Sequence, residues 1–155
     1  MQRWIVLGAV MVVLMFGGSF FAYQYYKQNQ PQPIWVPLPI NPQLPGEKRT
    51  ELAKELKAKL AKPEILAQVA KDLGLARTWG LNSDAAAGEE ISRRLFVRVG
   101  EAATPMGNVP SINVGVNGKV KEKAISEKLS LRLIEDVWKI LGVKNPTQKT
   151  LKDGR

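Results

Sequence analysis

The pattern begins with an uninterrupted apolar run near the start of the chain. The 20 residues from Trp4 to Tyr23 (WIVLGAVMVVLMFGGSFFAY) include no charged side chain. A helix rises about 1.5 Å per residue, so this run would reach about 30 Å, the thickness of a bilayer core. It therefore predicts one transmembrane helix within a membrane anchor over residues 1–26. The aromatic residues at its two ends are expected at the membrane interfaces: Trp4, Tyr23, Tyr25 and Tyr26.

The charges that flank the run predict its orientation. Arg3 and the amino terminus lie on one side and Lys27 on the other, with no further charge until Glu47. The positive-inside tendency favours a cytoplasmic N-terminus. We therefore expect a single-pass protein of the bacterial inner membrane, with the bilayer as a partner and the C-terminal domain in the periplasm or outside the cell. The alternative is a cleaved signal peptide, although the run is longer than the usual apolar region of one.

Residues 27–46 are rich in proline. This stretch (KQNQPQPIWVPLPINPQLPG) holds six of the ten prolines in the chain, which excludes a helix. It is interpreted either as a semi-rigid linker or as an edge strand around Ile34–Val36, because proline is tolerated in a sheet only at an edge. Trp35 among apolar neighbours favours the strand.

A helical period follows in residues 47–94. It predicts one helix over residues 47–61 and a second that starts at Pro63, where a missing N–H costs nothing, and ends at Gly74. A third helix is predicted from about Ser83 to Arg94. Gly88 inside it costs about 1 kcal/mol relative to alanine, which makes this helix the weakest prediction of the three.

The period then changes to two, which is typical of strands. Aliphatic side chains occupy every second position within residues 95–99 and within residues 112–116, which predicts two strands. A breaker-rich loop is predicted between them over residues 100–110, and a turn at Asn117–Gly118 follows the second strand. Residues 119–141 form the longest predicted helix outside the anchor. Its apolar face is wide, so it packs either on both the sheet and the earlier helices or partly on a neighbouring subunit.

Together these patterns predict an α+β fold class. One N-terminal transmembrane helix is followed by a small extracytoplasmic domain over residues 47–142, in which two or three strands pack against helices. Residues 143–155 are predicted to form a disordered tail.

Composition excludes several kinds of chemistry. The 155 residues contain no cysteine and no histidine, so thiol catalysis, disulfides and the commonest general base and metal ligand are all absent. No serine is placed beside a base, and the paired carboxylates lie side by side on helices and diverge. The net charge of +9 could suit nucleic acid, but Trp79, Phe96 and Trp138 fall at positions predicted to be buried. The sequence therefore predicts no enzyme, no cofactor, no metal and no nucleic acid partner.

Four passages resemble the periplasmic domain of bacterial polysaccharide chain-length determinants. The first is residues 62–80, KPEILAQVAKDLGLARTWG, and the others are Ile91–Val99, Ser111–Val116 and Ala124–Trp138. Their order matches the helix, tryptophan, helix, strand, strand and helix of that family. The positions identified with the core of the family motif are Pro63, Leu66, Val69, Leu73, Leu75, Trp79, Ile91 and Leu95.

The resemblance implies a function without bond chemistry. Members of this family form rings beside a polymerase and set the length distribution of O-antigen, capsule or exopolysaccharide. The chain is therefore expected to be a membrane-anchored, non-catalytic component of cell-surface polysaccharide assembly or export, partnered by copies of itself or by a polymerase or export protein. It departs from the family in lacking the long helical arm and the second membrane helix. The alternative is a single-pass interaction module of another secretion or surface-structure complex.

Overall fold

A computed structural model describes residues 21–105 and 107–142. Residues 21–28 are helical and lead into the folded domain. A short 3₁₀ turn, Val120–Glu122, precedes the last helix. The elements in chain order are β1 (Pro31–Pro39), α1 (Gly46–Leu60), α2 (Pro63–Asp72), α3 (Leu75–Trp79), α4 (Asp84–Arg94), β2 (Leu95–Thr104), β3 (Gly107–Lys119) and α5 (Lys123–Leu141).

The three strands form one antiparallel sheet in the order β1-β3-β2. In β1, Ile34 lies opposite Val116 of β3, and in β2, Leu95 lies opposite the same residue. The central strand therefore comes late in the chain, and the strand from the proline-rich segment is added at one edge. This segment is thus an edge strand rather than a linker, the interpretation that Trp35 favoured.

Proline suits this edge because of the direction of its missing N–H. Gln30 accepts a hydrogen bond from the N–H of Val120, and the N–H of Ile40 donates to Pro110. Even-numbered residues of β1 therefore face β3, and odd-numbered residues direct their backbone groups away from the sheet. Four of the five odd positions are proline. The outer edge consequently offers one N–H, that of Trp35, to a further strand, which protects it from edge-to-edge pairing.

One hydrophobic core lies between the sheet and a layer of helices. The strands contribute alternate residues such as Leu38, Val97 and Val114, and the helices contribute Leu60, Ile91 and others. The fully buried large side chains are Leu60, Leu66, Leu75, Ile91, Ile112, Leu129, Leu133, Val69, Val114, Val116 and Val137.

Helix α5 joins the two layers. It contacts β1 and β3 as well as α1 and α2, as expected from its wide apolar face. The hydroxyl of Ser130 donates to the carbonyl of Ile34 at 3.1 Å. Leu131 and Leu141 also belong to α5, but they are 58% and 41% exposed. The buried surface of α5 is therefore narrower than its sequence suggests.

The weakest of the predicted helices is present, and its glycine has a structural reason. The Ser83 hydroxyl caps α4 by accepting a hydrogen bond from the N–H of Ala86 at 3.1 Å. A Cβ at Gly88 would lie 3.0 Å from the backbone nitrogen of Ala67 in α2. Gly88 thus allows α2 and α4 to cross closely, which offsets its poor helix propensity.

The predicted loop over residues 100–110 and the predicted turn at Asn117–Gly118 are wrong. Strands β2 and β3 pair from Leu95 opposite Val116 to Thr104 opposite Gly107, through most of the predicted loop. The predicted turn lies inside β3, where Asn117 and Gly118 pair with residues of β1. Pro110 is tolerated because its missing N–H faces the end of β1, where it forfeits a single ladder bond.

The prediction of a transmembrane helix requires correction. Most of the predicted anchor, including Trp4, lies outside the described residues. Across residues 21–105 and 107–142, none of the helices combines the length and the apolar character that a bilayer crossing requires. The longest, α5, has 19 residues and carries charges along its length. The expected location as a single-pass inner-membrane protein is therefore not supported, and the fold class is corrected to an α+β domain with a three-stranded antiparallel sheet.

Candidate functional site

The face of the sheet opposite the helices is the candidate functional site, and we call it the open face. The Cα atoms of β1 and β2 approach within 8 Å at several positions although β3 lies between them, whereas a flat sheet would hold them roughly 9.6 Å apart. The sheet is thus strongly curled. The side chains that alternation places at the centre of the open face are Pro33, Trp35, Pro37 and Pro39 of β1, Phe96, Arg98 and Gly100 of β2, and Ser111, Asn113, Gly115 and Asn117 of β3.

Two aromatic residues lie on the open face on either side of a glycine. Trp35 and Phe96 are both opposite Gly115, from β1 and β2 respectively. A Cβ at Gly115 would meet the carbonyl oxygen of Ile34 and would lie 2.6 Å from the Cα of Trp35. Glycine is therefore required for the close approach of β1, and it leaves the space between the two rings free of any side chain from β3.

Arg98 lies over both aromatic rings. Its guanidinium carbon is 5.5 Å from the centroid of the Trp35 ring and 5.0 Å from that of Phe96. These distances are within the range of cation–π attraction. Arg98 is exposed, and Trp35 keeps 41% of its surface accessible despite the contact. The result is an accessible aromatic and cationic surface on a rigid sheet.

Small polar side chains form the floor of the open face. Ser111 is fully buried and donates a hydrogen bond from its hydroxyl to the Oδ1 of Asn113 at 3.0 Å. The Nδ2 of Asn113 lies against Gly100 and donates to no described residue. The buried serine therefore orients the Asn113 amide and leaves its N–H groups available as donors.

A second candidate is a surface cavity of about 610 Å³ beside α3 and the 3₁₀ turn. Arg94 lies 4.7 Å above the Trp79 ring and forms ion pairs of 2.7 Å with both Glu90 and Glu122. Partial burial lowers the pKa of Arg94, but hydrogen bonds and attraction from the two carboxylates outweigh it, so the pKa is raised overall. Arg94 is therefore already paired in this cavity, whereas Lys119 and Lys121, which also line it, form no ion pair with a described residue.

Another charged cluster links α2 to α5. Arg132 of α5 contacts Asp72 at 2.8 Å and Asp136 at 2.7 Å. Hydrogen bonds from Arg132 and Gln68 hold the pKa of Asp72 below its ordinary value. The arrangement ties the end of α2 to the last helix and is a structural feature, since each charge has its partner.

The described residues do not assemble a catalytic group. Two of the three buried serines among these residues are used within the fold: Ser111 donates to an amide oxygen and Ser130 to a backbone carbonyl, neither of which can act as a base. The third, Ser126, lies against Gly118 and forms no hydrogen bond with a described residue. No group of three or more acidic side chains among residues 21–105 and 107–142 is placed to hold a metal ion. The chemistry available on the open face is therefore binding by stacking, hydrogen bonds and charge.

The structure separates the residues selected from sequence into two groups. Tyr23, Tyr25 and Tyr26 are 62%, 71% and 68% exposed in the helical segment of residues 21–28. Trp4 lies outside the described residues. Of the motif positions, Leu66, Val69, Leu75, Ile91 and Leu95 are buried in the core, Leu73 and Trp79 are partly buried against it, and Pro63 is exposed at the first turn of α2.

Sequence reasoning missed the open face. Phe96 was predicted to be buried, but it lies on the side of the sheet that faces away from the core, beside Trp35. Alternation within residues 95–99 does place Phe96 and Arg98 on the same side, and that signal was available. The position of Trp35 beside them depends on the pairing of β1 with β3, in which Trp35 lies opposite Gly115, about 80 residues later in the chain, so no local pattern predicts it.

We compared the chain with known protein families, curated proteins and solved structures. No protein-family model, no curated protein and no solved structure matches this chain.

Proposed function

We propose that this protein is a non-catalytic component of bacterial cell-surface polysaccharide assembly or export, and that it binds glycan through the open face. The observation that carries the proposal is the exposed ring of Trp35 and the half-buried ring of Phe96, both contacted by Arg98. Binding sites for small molecules and oligosaccharide-sized ligands are concave and aromatic, with a few oriented polar groups. The curled sheet, Trp35 and the Asn113 amide supply these features.

The resemblance to chain-length determinants supports the polysaccharide part of the proposal. The motif positions that carry this resemblance lie mainly in the core, where they shape the helical layer behind the sheet. A domain of this kind acts by contact with the polymer or its synthetic machinery. The absence of histidine and cysteine fits a role without bond chemistry.

Deletion of the gene tests the assignment. We expect the length distribution or the amount of surface polysaccharide to change on a gel, and wild-type protein to restore it. Trp35→Ala should fail to restore it, because it removes ring surface from the open face while its exposed position spares the fold. Arg77→Gln is the control, since Arg77 is exposed on α3 and its side chain forms no hydrogen bond, ion pair or ring contact with a described residue. An unchanged polymer ladder in the deletion strain would refute the proposal.

A second candidate function is the binding of a partner protein through the same surface. Tryptophan and arginine that are exposed side by side are typical of the energetic centre of a protein interface. Crosslinking in cells distinguishes the two functions. A photoreactive residue placed at Pro37, on the open face, would capture a protein if this second function is correct and a polysaccharide if the first is correct.

A further inference from the structure

We propose that the open face selects acidic glycans, with a sugar ring stacked on Trp35 and Phe96 and the sugar carboxylate bound by Arg98. This inference rests on the proposed function, because it assumes that the open face binds glycan. It adds the chemical class of the ligand and assigns Arg98 as the residue that determines specificity.

Arg98 is held in place but its charge is unpaired. It forms no hydrogen bond and no ion pair with any described residue, whereas Arg94 contacts two carboxylates and Arg132 contacts three. The two rings fix the guanidinium on the sheet and leave its N–H groups without acceptors. A guanidinium matches a carboxylate through two parallel hydrogen bonds, which makes a carboxylate its natural ligand.

The charge of the surrounding sheet favours an anion. Among the strand positions directed to the open face, none is aspartate or glutamate. An approaching carboxylate would therefore meet Arg98 without repulsion from the sheet. Directly opposite Arg98 on β3, the Nδ2 group of Asn113 is a donor that suits a sugar hydroxyl or ring oxygen.

The rings provide the apolar part of the site. Trp35 is 41% exposed with Arg98 already against it, so ring surface remains for a ligand. A pyranose has one face lined with C–H groups, which can lie flat on an aromatic ring and remove apolar surface from water. The open face thus combines stacking with one positive charge, as a uronic acid unit requires.

A single-stranded nucleic acid would also stack on aromatic rings, but it requires several cations along its backbone. The centre of the open face supplies one, Arg98, and the next cation that alternation places on this face, Lys119, lies at the end of β3, about 20 Å along the strand from the residue opposite Arg98. The exposed lysines of α1, such as Lys48 and Lys54, belong to the helical layer on the other side of the sheet. The distribution of charge therefore favours an acidic glycan over nucleic acid.

The test compares two forms of one ligand. Purified full-length protein is titrated by calorimetry with oligogalacturonate and with the same oligomer after complete methyl esterification, which keeps the rings and removes the charge. We expect the acidic form to bind about 10-fold tighter, as one charge-assisted contact of about 1.4 kcal/mol implies. Arg98→Gln should bring the two forms to near-equal affinity, and Arg98→Lys should keep part of the preference. Trp35→Ala should weaken both forms alike.

The controls separate this inference from the proposed function. Arg77→Gln removes the same net charge away from the sheet and should leave the preference unchanged; an equal loss in this variant would overturn the inference. Equal wild-type affinity for the two forms would overturn it while leaving glycan binding intact. Binding of neither form would overturn it too, and a panel of neutral surface polysaccharides would then show whether glycan binding itself fails.

Tighter binding of a thymidine oligonucleotide than of oligogalacturonate would assign the open face to nucleic acid instead. Thermal unfolding confirms that each variant is folded.

Discussion

Replacement of Gly88 by alanine brings two opposite effects into direct competition. In an exposed helix, alanine is favoured over glycine by about 1 kcal/mol, so helix propensity alone predicts that Gly88→Ala stabilises α4. The structure predicts the reverse. The new Cβ would lie 3.0 Å from the backbone nitrogen of Ala67, and 3.2 and 3.3 Å from the carbonyl carbon of Leu66 and the Cα of Ala67.

The size of the destabilisation depends on how far α2 and α4 would have to separate. Carbon atoms pack best about 3.5–4.0 Å apart, so α2 and α4 must separate by roughly half an ångström. The contacts at 3.0 Å are with backbone atoms, which cannot rotate aside. Leu66 and Ile91, both buried on the facing sides of these helices, would lose packing as the helices part. Overpacking of this kind costs about 1–3 kcal/mol, which exceeds the gain in propensity and leaves a net destabilisation of about 1 kcal/mol.

Urea unfolding followed by circular dichroism measures the outcome. The matched control is Gly46→Ala at the start of α1, where a new Cβ would meet nothing within 4 Å. We expect this control to be neutral or stabilising by up to about 1 kcal/mol. If Gly88→Ala proves as stable as Gly46→Ala or more so, the close crossing of α2 and α4 is refuted.

Three further predictions concern the sheet and the two charged clusters. Gly115→Ala should destabilise the domain by about 1–3 kcal/mol in the same assay, because the new Cβ would meet the β1 backbone next to Trp35; an unchanged midpoint would contradict the pairing of β1 with β3. Arg94→Ala should lower the free energy of unfolding by about 2–3 kcal/mol, because it leaves the largely buried carboxylate of Glu122 without its ion-pair partner. This is less than the loss expected for a fully buried ion pair, and a measured loss below about 0.5 kcal/mol would contradict the prediction. The pKa of Asp72 is lowered in the folded state, so its contribution is present above its ordinary pKa of 3.8 and is lost as the pH falls through the folded value. Asp72→Asn should therefore reduce the acid dependence of unfolding below pH 3.8, and an identical pH profile to wild type would refute the contribution.

The charged clusters illustrate how much tertiary structure adds to sequence. Glu90 and Arg94 are four residues apart on a helix, so their ion pair can be expected from spacing alone. The contacts of Arg94 with Trp79 and Glu122 cannot, because these residues belong to other elements. The same holds for Arg132, whose partner Asp136 is local and whose partner Asp72 lies 60 residues earlier.

The sequence by itself determined the local elements of this protein. The helical period, the cap at Ser83 and the left-handed glycines Gly74 and Gly142 fix where helices begin and end, because the interactions involved span about four residues. The prolines determined that the segment of residues 31–39 could be no more than an edge strand, since their missing N–H groups cannot serve a central one.

Only the tertiary structure decided which strands lie side by side and in which register. The hairpin of β2 and β3 continues through residues that favour a loop, because pairing along its whole length satisfies their backbone groups. The pairing of β3 with both β1 and β2 brings Trp35, Phe96 and Arg98 together on the open face. Such contacts depend on residues far apart in the chain, and the free energy that selects them comes from burying the other face of the sheet against the helices.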